Sequence, residues 1–530
     1  MEKKRFYITT PIYYPSAKLH IGHAYCTTLC DVFARNKRMR GYECYFLTGA
    51  DEHGQKIEKN AAAANKSPQE FVDEIVASFH QLWDLLKISN NDFIRTTQER
   101  HMKVVQDVFT KLYNNGDIYL SKYSGWYCTH CESFWTDTQV GEEHLCPDCG
   151  RPVHIEEEEA YFFKTSKYVD RLLKFYEENP KFLTPESRKN EMINTFIKPG
   201  LDDLCVSRTS FSWGVPIKEN PKHVVYVWLD ALTNYISALG YDSDNPELFN
   251  KFWKDENTEI IHVLGADITR FHAIYWPMFL MSLGERLPDR EFVHGLLMMK
   301  DTKMSKSKGN VVDPYPLVEK YGVDAVRYYL TREVTFGNDG SFSPEQFVER
   351  INMDLANSFG NLLNRTVSMI NKYFNGVIPE YKGDVTEFDS LLRSACESTV
   401  KLYESLFDDL RITEAIIQVN ELVNRANKYI DETTPWALAK EGKTEELASV
   451  MNHLANAIFV ASKLYEPVLV TASKEAYNQL GIPEDKQGYE QIKSFGSVQN
   501  YTVVKGNPLF PRLDAAVEVP FIQDLMKGNN

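Results

Sequence analysis

Two short runs of this sequence carry side chains suited to a polyphosphate. His20-Ile21-Gly22-His23 sets an imidazole on either side of a glycine, in a loop that opens a predicted helix. A helix N-terminus offers unpaired N–H groups and a partial positive charge to phosphate, and Gly22 has no side chain to block its approach. Lys303-Met304-Ser305-Lys306-Ser307-Lys308-Gly309 spreads three lysines among small residues, as a loop that closes over a polyanion requires. Taken singly, the first run reads as a surface loop with incidental histidines and the second as a solvated basic turn. Taken together, one after the first predicted strand and one after the last, they would flank one crevice.

A third cluster has metal-ligand spacing. Cys128-x2-Cys131 and Cys146-x2-Cys149, with fourteen residues between the knuckles, suit a tetrahedral four-cysteine zinc site. Four thiolates leave no open coordination position, so one structural zinc per chain is expected. His130, His144 and His154 lie close by and read as bystanders, because the cysteine set is complete. Disulfide pairing is the alternative. The odd total of nine cysteines, with Cys26, Cys30, Cys44, Cys205 and Cys396 scattered, fits a reducing cytoplasm where disulfides are disfavoured.

Parallel α/β architecture is what the elements around these clusters predict. Residues 6–10 read as a strand, 24–39 as a helix that Gly41 stops, and 45–47 as a second strand. That order implies right-handed crossovers and ligands at the carboxyl ends of the strands, where His20–His23 and Asp51–His53 both fall. The pattern breaks from about 118 to 225, in turn-rich sequence containing the cysteines and Glu156–Glu159. It resumes with predicted strands at 224–228 and 259–265. Residues 352–475 read as helical throughout, with an apolar stripe at Leu355, Phe359, Leu363, Val367, Ile370 and Phe374. The expected division is 1–117 and 226–299 for the two halves of the catalytic domain, 118–225 for a zinc-bearing insertion and 300–351 for the lysine loop and a linker. Residues 352–530 complete it as an all-α bundle, and Lys505 to Pro520 should pack back as an extended arm.

Composition agrees with a folded protein: 530 residues, 43% hydrophobic and 25% charged. The net charge of −15 argues against a broad electrostatic nucleic-acid binder but leaves room for a local basic patch. No apolar run approaches the ~18 residues of a membrane helix, and no secretory signal opens the chain, so a cytoplasmic protein is expected.

With both phosphate runs in view, the chain resembles class I aminoacyl-tRNA synthetases, whose two signatures are matched by His20-Ile21-Gly22-His23 and Lys303-Met304-Ser305-Lys306-Ser307. The resemblance implies a Rossmann-like domain that activates an amino acid with ATP and magnesium. It assigns His20, His23, Lys303 and Lys306 to catalysis, and His20, Gly22, His23 and Lys306 to ATP. The nucleophile would be an already ionised carboxylate, so the residues align it and neutralise developing charge rather than activate it. Arg208 is a further candidate for the reacting phosphate.

The similarity runs along essentially the whole chain to the methionyl-tRNA synthetase family. The valine, isoleucine and leucine enzymes carry a large editing insertion, and the cysteine enzyme has a pocket Cys that 9–15 lacks. By this resemblance Ile12, Tyr14, Asp51, Trp228, Ala231, Leu232, Tyr235, Ile268 and His272 bind methionine, with Asp51 on the ammonium. Leu232 departs from the proline of some members. Aromatic rings around a thioether make chemical sense, although Trp228 and Tyr235 at this spacing would equally suit core packing. Asn357, Asn361, Asn364 and Arg365 share one predicted helix face, where a solvated surface is the ordinary reading. The resemblance assigns Asn361 and Arg365 to anticodon reading and Trp436 to stacking, on a tRNA(Met) with the anticodon CAU, for initiation and elongation of translation.

The implied partners are therefore L-methionine, ATP and tRNA(Met), with no membrane, and a monomer if no C-terminal dimerisation module is missing. Two rivals stay open on the residues alone. One is another adenylylating enzyme on the same core, and the other is a zinc- and RNA-binding protein that has lost its chemistry.

Overall fold

The computed structural model describes residues 4–131, 133–135, 137–299, 302–303, 312–334 and 337–527. The chain divides into two compact units. One comprises Met1–Leu19, Gly41–Trp83 and Ser89–His294; the other comprises His20–Arg40, Asp84–Ile88 and Gly295–Asn530.

The first unit is built on a parallel six-stranded sheet. Its strands are β1 (Arg5–Tyr13), β2 (Glu43–Ala50), β3 (Asp92–Arg95), β7 (Leu183–Thr184), β11 (Thr258–Gly265) and β12 (Arg290–His294), in the order β3-β2-β1-β11-β12-β7. Its central strands are apolar on both faces. Phe6, Tyr7, Ile8, Phe46, Leu47, Ile260, Ile261, Val263 and Leu264 are all buried, as expected of a parallel sheet covered by helices on each side. The strands run several residues beyond the predicted cores. β1 continues through Pro11 because its pairing with β2 shifts register between Thr9 and Ile12. An irregular step in the pairing is where a proline can sit inside a strand. It also re-aims Ile12 opposite Gly49, where an added Cβ would lie 2.1 Å from the Ile94 carbonyl and 2.9 Å from the Ile12 side chain. Glycine is required there for strand approach.

The cysteine-bearing segment forms its own antiparallel sheet. β4 (Ile118–Cys128), β5 (Ser133–Trp135), β6 (His154–Phe163) and β8 (Leu204–Cys205) lie in the order β5-β4-β6-β8. The predicted single insertion over 118–225 is interleaved with the main domain, since β7 from its middle is the edge strand beside β12. A two-residue strand carries too little hydrophobic pattern to be seen in sequence. The predicted strand over 224–228 is also shorter than expected. β9 (Ser207–Arg208) pairs antiparallel with β10 (Val224–Val225), and the chain then enters a helix at Val227. Trp228 is therefore helical, because the alternation of Val and Tyr ends where the helical spacing of Trp228, Ala231, Leu232 and Tyr235 takes over.

The second unit holds the helix Ile21–Met39, hereafter the signature helix, together with a helical bundle. Residues 312–351, expected as a linker, carry the helices Pro314–Tyr321, Val323–Glu333 and Pro344–Arg350. Arg327 from the second of these is fully buried and pairs with buried Asp31 of the signature helix at 2.7 Å. Its remaining donors bond the carbonyls of Leu86, Pro467 and Val468, so its charge is satisfied on every side. Farther along, Arg40 bonds Asp408 at 2.8 Å and Phe33 meets Phe407 edge-on. The predicted stripe from Leu355 to Ile370 is buried, across a wide helical turn, Ile351–Gly360, that runs into Asn361–Phe374. The expected extended arm ends instead in the helix Ala515–Lys527, with Pro520 inside it. Docking overrides the proline: Glu518 bonds Lys320 and Tyr321, Lys320 lies over the Phe521 ring, and Ile522 is buried.

Candidate active site and metal centre

The first histidine run begins the signature helix, and its side chains cap it. His20 is the N-cap, with φ −121° and ψ 176°. Its Nδ1 accepts the Gly22 N–H at 3.1 Å, and the Nδ1 of His23 accepts the His20 N–H at 3.1 Å. The reciprocal arrangement is that of a capping box, with imidazoles in place of the usual Ser and Glu. Because both Nδ1 atoms accept, the hydrogen bonding assigns the proton of each neutral ring to Nε2. The rings lie 4.0 Å apart. Gly22 makes room for the His20 ring: a Cβ there would meet His20 Cε1 at 2.9 Å.

The second run is bracketed by described elements. β13 (Leu297–Met299) pairs with β14 (Thr302–Lys303), which places the Lys303 backbone opposite Met298. Lys306 lies outside the described residues. On the far side of the loop, the Val312 carbonyl accepts the Ile21 N–H at 3.0 Å. The residue that begins the signature helix is thus bonded to the residue that follows the lysine loop.

In the other unit, the run after β2 is pinned residue by residue. The Asp51 N–H bonds the Tyr13 carbonyl, and Gly54 N–H bonds the Trp213 carbonyl. Buried Glu52 accepts from Arg95 Nε and Thr97 Oγ1, each at 2.5 Å. His53 Nδ1 lies 2.7 Å from Asp230 Oδ2. Asp51 itself is 8% exposed, at the carboxyl end of β2. Nearby, Ile12 and Tyr14 are half-buried, and Lys56 lies over the Tyr14 ring.

The pocket segment is the helix Val227–Ser237. Ala231, Leu232 and Tyr235 are buried, and Trp228 is half-buried with an Nε1 that has no hydrogen-bond partner among the described residues. The Trp228 indole stacks on Phe271, with ring centroids 3.5 Å apart and planes within 5°. The Tyr235 hydroxyl lies 2.8 Å from His272 Nε2, and His272 Nδ1 faces the carbonyl of half-buried Ile268 at 3.1 Å. Burial holds His272 down at about 4, so the ring is neutral at ordinary pH. Its Nδ1–H then donates to Ile268 and Nε2 accepts from Tyr235. A second neutral imidazole, His262, stacks under Tyr235 at 4.1 Å and is itself fixed by Thr9 and Trp276. Beside Trp228 and Phe271 opens a cavity of about 660 Å³, lined also by Trp126, Trp135, Phe196 and Arg270. Arg208 is fully buried over the Tyr127 ring at 4.2 Å, and it spends a guanidinium nitrogen on Glu156 at 2.6 Å. In this structure its charge is directed to the cysteine-bearing sheet.

The four cysteines converge. The sulfurs of Cys128, Cys131, Cys146 and Cys149 all lie within 4.8 Å of one another, with Cys128–Cys149 at 3.6 Å and Cys131–Cys146 at 3.8 Å. Four sulfurs about 2.3 Å from one zinc ion stand about 3.8 Å apart in a regular tetrahedron, whereas a disulfide would bring two of them to about 2.05 Å. The spacing fits a metal and excludes pairing. Cys131 N–H points at Cys128 Sγ, a bond that favours the thiolate. The hydrogen bond with Cys131 pulls Cys128 down to about 5, while the same bond foremost pushes Cys131 far up. Four sulfurs held this close can all ionise only with a cation among them to offset their mutual repulsion. His144 stacks on Trp126 at 4.1 Å, which occupies its ring.

In the helical bundle, Asn357, Asn361 and Asn364 are exposed and Arg365 is half-buried. Arg365 reaches Asp431 at 3.7 Å, near the end of the helix Ile412–Thr433. Thr434, at φ 42°, turns that helix into Pro435–Glu441, on which Trp436 is half exposed. A large indole left in solvent on a helix start is available for stacking.

Sequence reasoning missed Phe271, and it missed the ties of Asp230 to His53 and His101. The Phe271 ring could have been found from its place between Ile268 and His272. The Asp230 network could not, because its three residues come from distant segments.

Comparison with known proteins places these features in one context. A family model described as tRNA synthetases class I (M) matches residues 6–154 and 149–367. A model of the anticodon binding domain of methionyl tRNA ligase matches residues 378–505. The chain is 55% identical over 540 residues to a methionine–tRNA ligase of Bacillus subtilis (strain 168), spanning 100% of this chain and 81% of that one. It is 56% identical to the corresponding protein of Oceanobacillus iheyensis, spanning 98% and 79%. A solved structure of Mycobacterium tuberculosis methionyl-tRNA synthetase in complex with methionyl-adenylate aligns with a TM-score of 0.91 at 40% identity, covering 96% of this chain and 100% of that one. The apo form of that protein aligns at 0.85 and 37% identity, covering 97% and 99%.

Proposed function

The chain belongs to the methionyl-tRNA synthetase family of class I tRNA synthetases, and from this premise we infer that it activates L-methionine with ATP and transfers the methionyl group to tRNA. The methionine carboxylate attacks the α-phosphorus, methionyl-adenylate forms and pyrophosphate leaves. The ester to the terminal adenosine of tRNA forms next, with release of AMP.

The start of the signature helix carries the residue assignment. Both imidazoles accept backbone N–H bonds at Nδ1, so both hold an Nε2–H, the donor a phosphate oxygen requires. His20 and His23 would hydrogen-bond the triphosphate, and Lys303 and Lys306 would neutralise charge on the departing pyrophosphate, with magnesium accompanying ATP. The Val312–Ile21 bond ties the end of the lysine loop to the histidine run. Methionine would lie among Ile12, Tyr14, Trp228, Ala231, Leu232, Tyr235, Ile268 and His272, with its ammonium on Asp51. The neutral Tyr235–His272 pair suits an uncharged thioether, since it adds polar contact without a buried charge.

The four cysteines would hold one zinc, which when bound cross-links the ends of β4 to the 146–149 turn. Cysteines kept reduced for zinc call for a reducing compartment, which supports a cytoplasmic location. No described helix is long and apolar enough to cross a membrane. Asn361, Arg365 and Trp436 would read the CAU anticodon by hydrogen bonding and stacking, and so charge tRNA(Met) for initiation and elongation. The test is charging of tRNA(Met) transcripts with radiolabelled methionine. The CAU transcript should be charged, and an anticodon-substituted transcript should lose efficiency by orders of magnitude. Equal charging of both would contradict the anticodon assignment.

A further inference from the structure

A buried acid joins the loop that carries Asp51 to the helix that carries the pocket aromatics. Asp230 lies on the helix Val227–Ser237, between Trp228 and Ala231, and is 0% exposed. Its Oδ2 meets His53 Nδ1 at 2.7 Å, and its Oδ1 meets His101 Nε2 at 2.8 Å. His101 is 0% exposed, and its Nδ1 reaches Ser237 Oγ at 2.7 Å, about two turns beyond Asp230 on the helix Val227–Ser237. His53 is 4% exposed and its other face is closed by the Trp213 ring, edge-on at 5.6 Å. Trp213 in turn donates its indole N–H to the Glu52 carbonyl at 2.6 Å. Burial alone would raise the Asp230 carboxyl, yet attraction to His53 and hydrogen bonds from both imidazoles hold it at about 2. It is ionised, paired and buried.

We propose that Asp230 is a positioning residue for methionine recognition, acting through His53 to fix the Asp51 carboxylate relative to the pocket helix. The inference rests on the reading that Asp51 binds the substrate ammonium. A single residue, Glu52, separates Asp51 from His53, and it is locked to Arg95 and Thr97, so the loop has no independent freedom once His53 is held. The pocket's polar end and its apolar wall are then set by one carboxylate. A site of this kind needs its polar group placed to within a fraction of an ångström, which a two-point bond from a buried acid supplies. His101, itself held by Ser237, closes the second oxygen of Asp230, so the acid cannot rotate away from His53.

The experiment is methionine-dependent ATP–pyrophosphate exchange on the whole chain, in a double-mutant cycle of Asp51→Asn and Asp230→Asn. His53→Ala and His53→Asn enter as a second pair. Asparagine places an amide where His53 holds Nδ1, so it keeps the donor that alanine removes. Asp230→Asn and His53→Ala should each raise the methionine KM by roughly 10- to 100-fold, with the ATP KM within about twofold of the parent. His53→Asn should recover most of the loss. The effect of Asp230→Asn should largely disappear in the Asp51→Asn background, because the group it positions is gone. Full additivity, or equal rises in both KM values, would reduce Asp230 to general support of the fold and overturn the proposal. If Asp51→Asn leaves the methionine KM unchanged, the ammonium reading falls, and this inference falls with it. Should Asp230→Asn fail to fold, the His53 pair decides alone: equal methionine KM values for His53→Ala and the parent chain overturn it.

Discussion

The Tyr235 hydroxyl and His272 Nε2 are 2.8 Å apart in the interior of the first unit, and the neutral imidazole leaves the tyrosine proton only one direction to point. Tyr235→Phe would remove the donor and strand a buried acceptor, a loss of about 1–3 kcal/mol. The methionine KM should rise roughly 5- to 100-fold with little change in the ATP KM, read by pyrophosphate exchange. Because burial holds His272 near 4, its charge state should not change between pH 6 and pH 8. A methionine KM that tracked a group titrating near 6.5, abolished by His272→Asn, would contradict this.

Removal of Nε2–H from the signature helix should slow chemistry more than binding. His23→Asn keeps an acceptor near the Nδ1 position for the cap but lacks the Nε2 donor. Exchange should fall by ~10²–10³, as for other losses of a charge-stabilising donor, with thermal stability near that of the parent chain. Lys306→Ala should fall by a similar factor. A drop in melting temperature that matched the loss of rate would mean that the histidine serves only the cap.

Metal analysis should find one zinc per chain. Cys146→Ser should abolish it and lower the melting temperature by several degrees, because the 146–149 turn loses its link to β4. Retention of zinc by this variant would mean that another residue completes the site.

Glu291 offers a stability test away from the chemistry. It is 0% exposed, neither side-chain oxygen has a hydrogen-bond partner among the described residues, and burial pushes its pKa well up. The folded chain keeps it protonated, while the unfolded chain releases the proton above about pH 4.3. Stability from this group is intact below that pH and declines by about 1.4 kcal/mol per pH unit above it, until the folded pKa is reached. Glu291→Gln should therefore be no more stable than the parent at pH 4 and progressively more stable towards neutrality, measured by urea unfolding. An equal difference at every pH would show that Glu291 does not stay protonated.

Much of this was legible because local chemistry declares itself locally. The knuckles Cys128–Cys131 and Cys146–Cys149 announced a metal by spacing, and the structure brings their sulfurs together. The first βαβ unit was visible because β-branched and aromatic runs alternate with a helix-forming run. The edge strand Leu183–Thr184 was not, being too short to show a period. The final helix was obscured by Pro520, whose local cost is overcome by contacts from Lys320 and Tyr321 some 200 residues earlier. Within the site, side chains clustered in sequence were found, and those that meet only after folding were not. Asp230 with His53 and His101 is of the second kind. The capping role of His20 and His23 was also unseen, since spacing alone does not reveal which ring nitrogen accepts.

Trp436 is half exposed, so its replacement should cost recognition rather than stability. Trp436→Ala should weaken tRNA charging by roughly 10- to 100-fold, the worth of about 1–3 kcal/mol for one stacked base. Exchange without tRNA should stay at the parental rate. A matching loss in both assays would place the indole in the fold instead.

The central claim is tested most directly by ATP–pyrophosphate exchange on the purified chain, without tRNA, with each of the twenty amino acids in turn. Exchange supported by methionine and by no other at comparable efficiency is the predicted result. Exchange with a different amino acid, or none with methionine from folded and zinc-loaded protein, would contradict it.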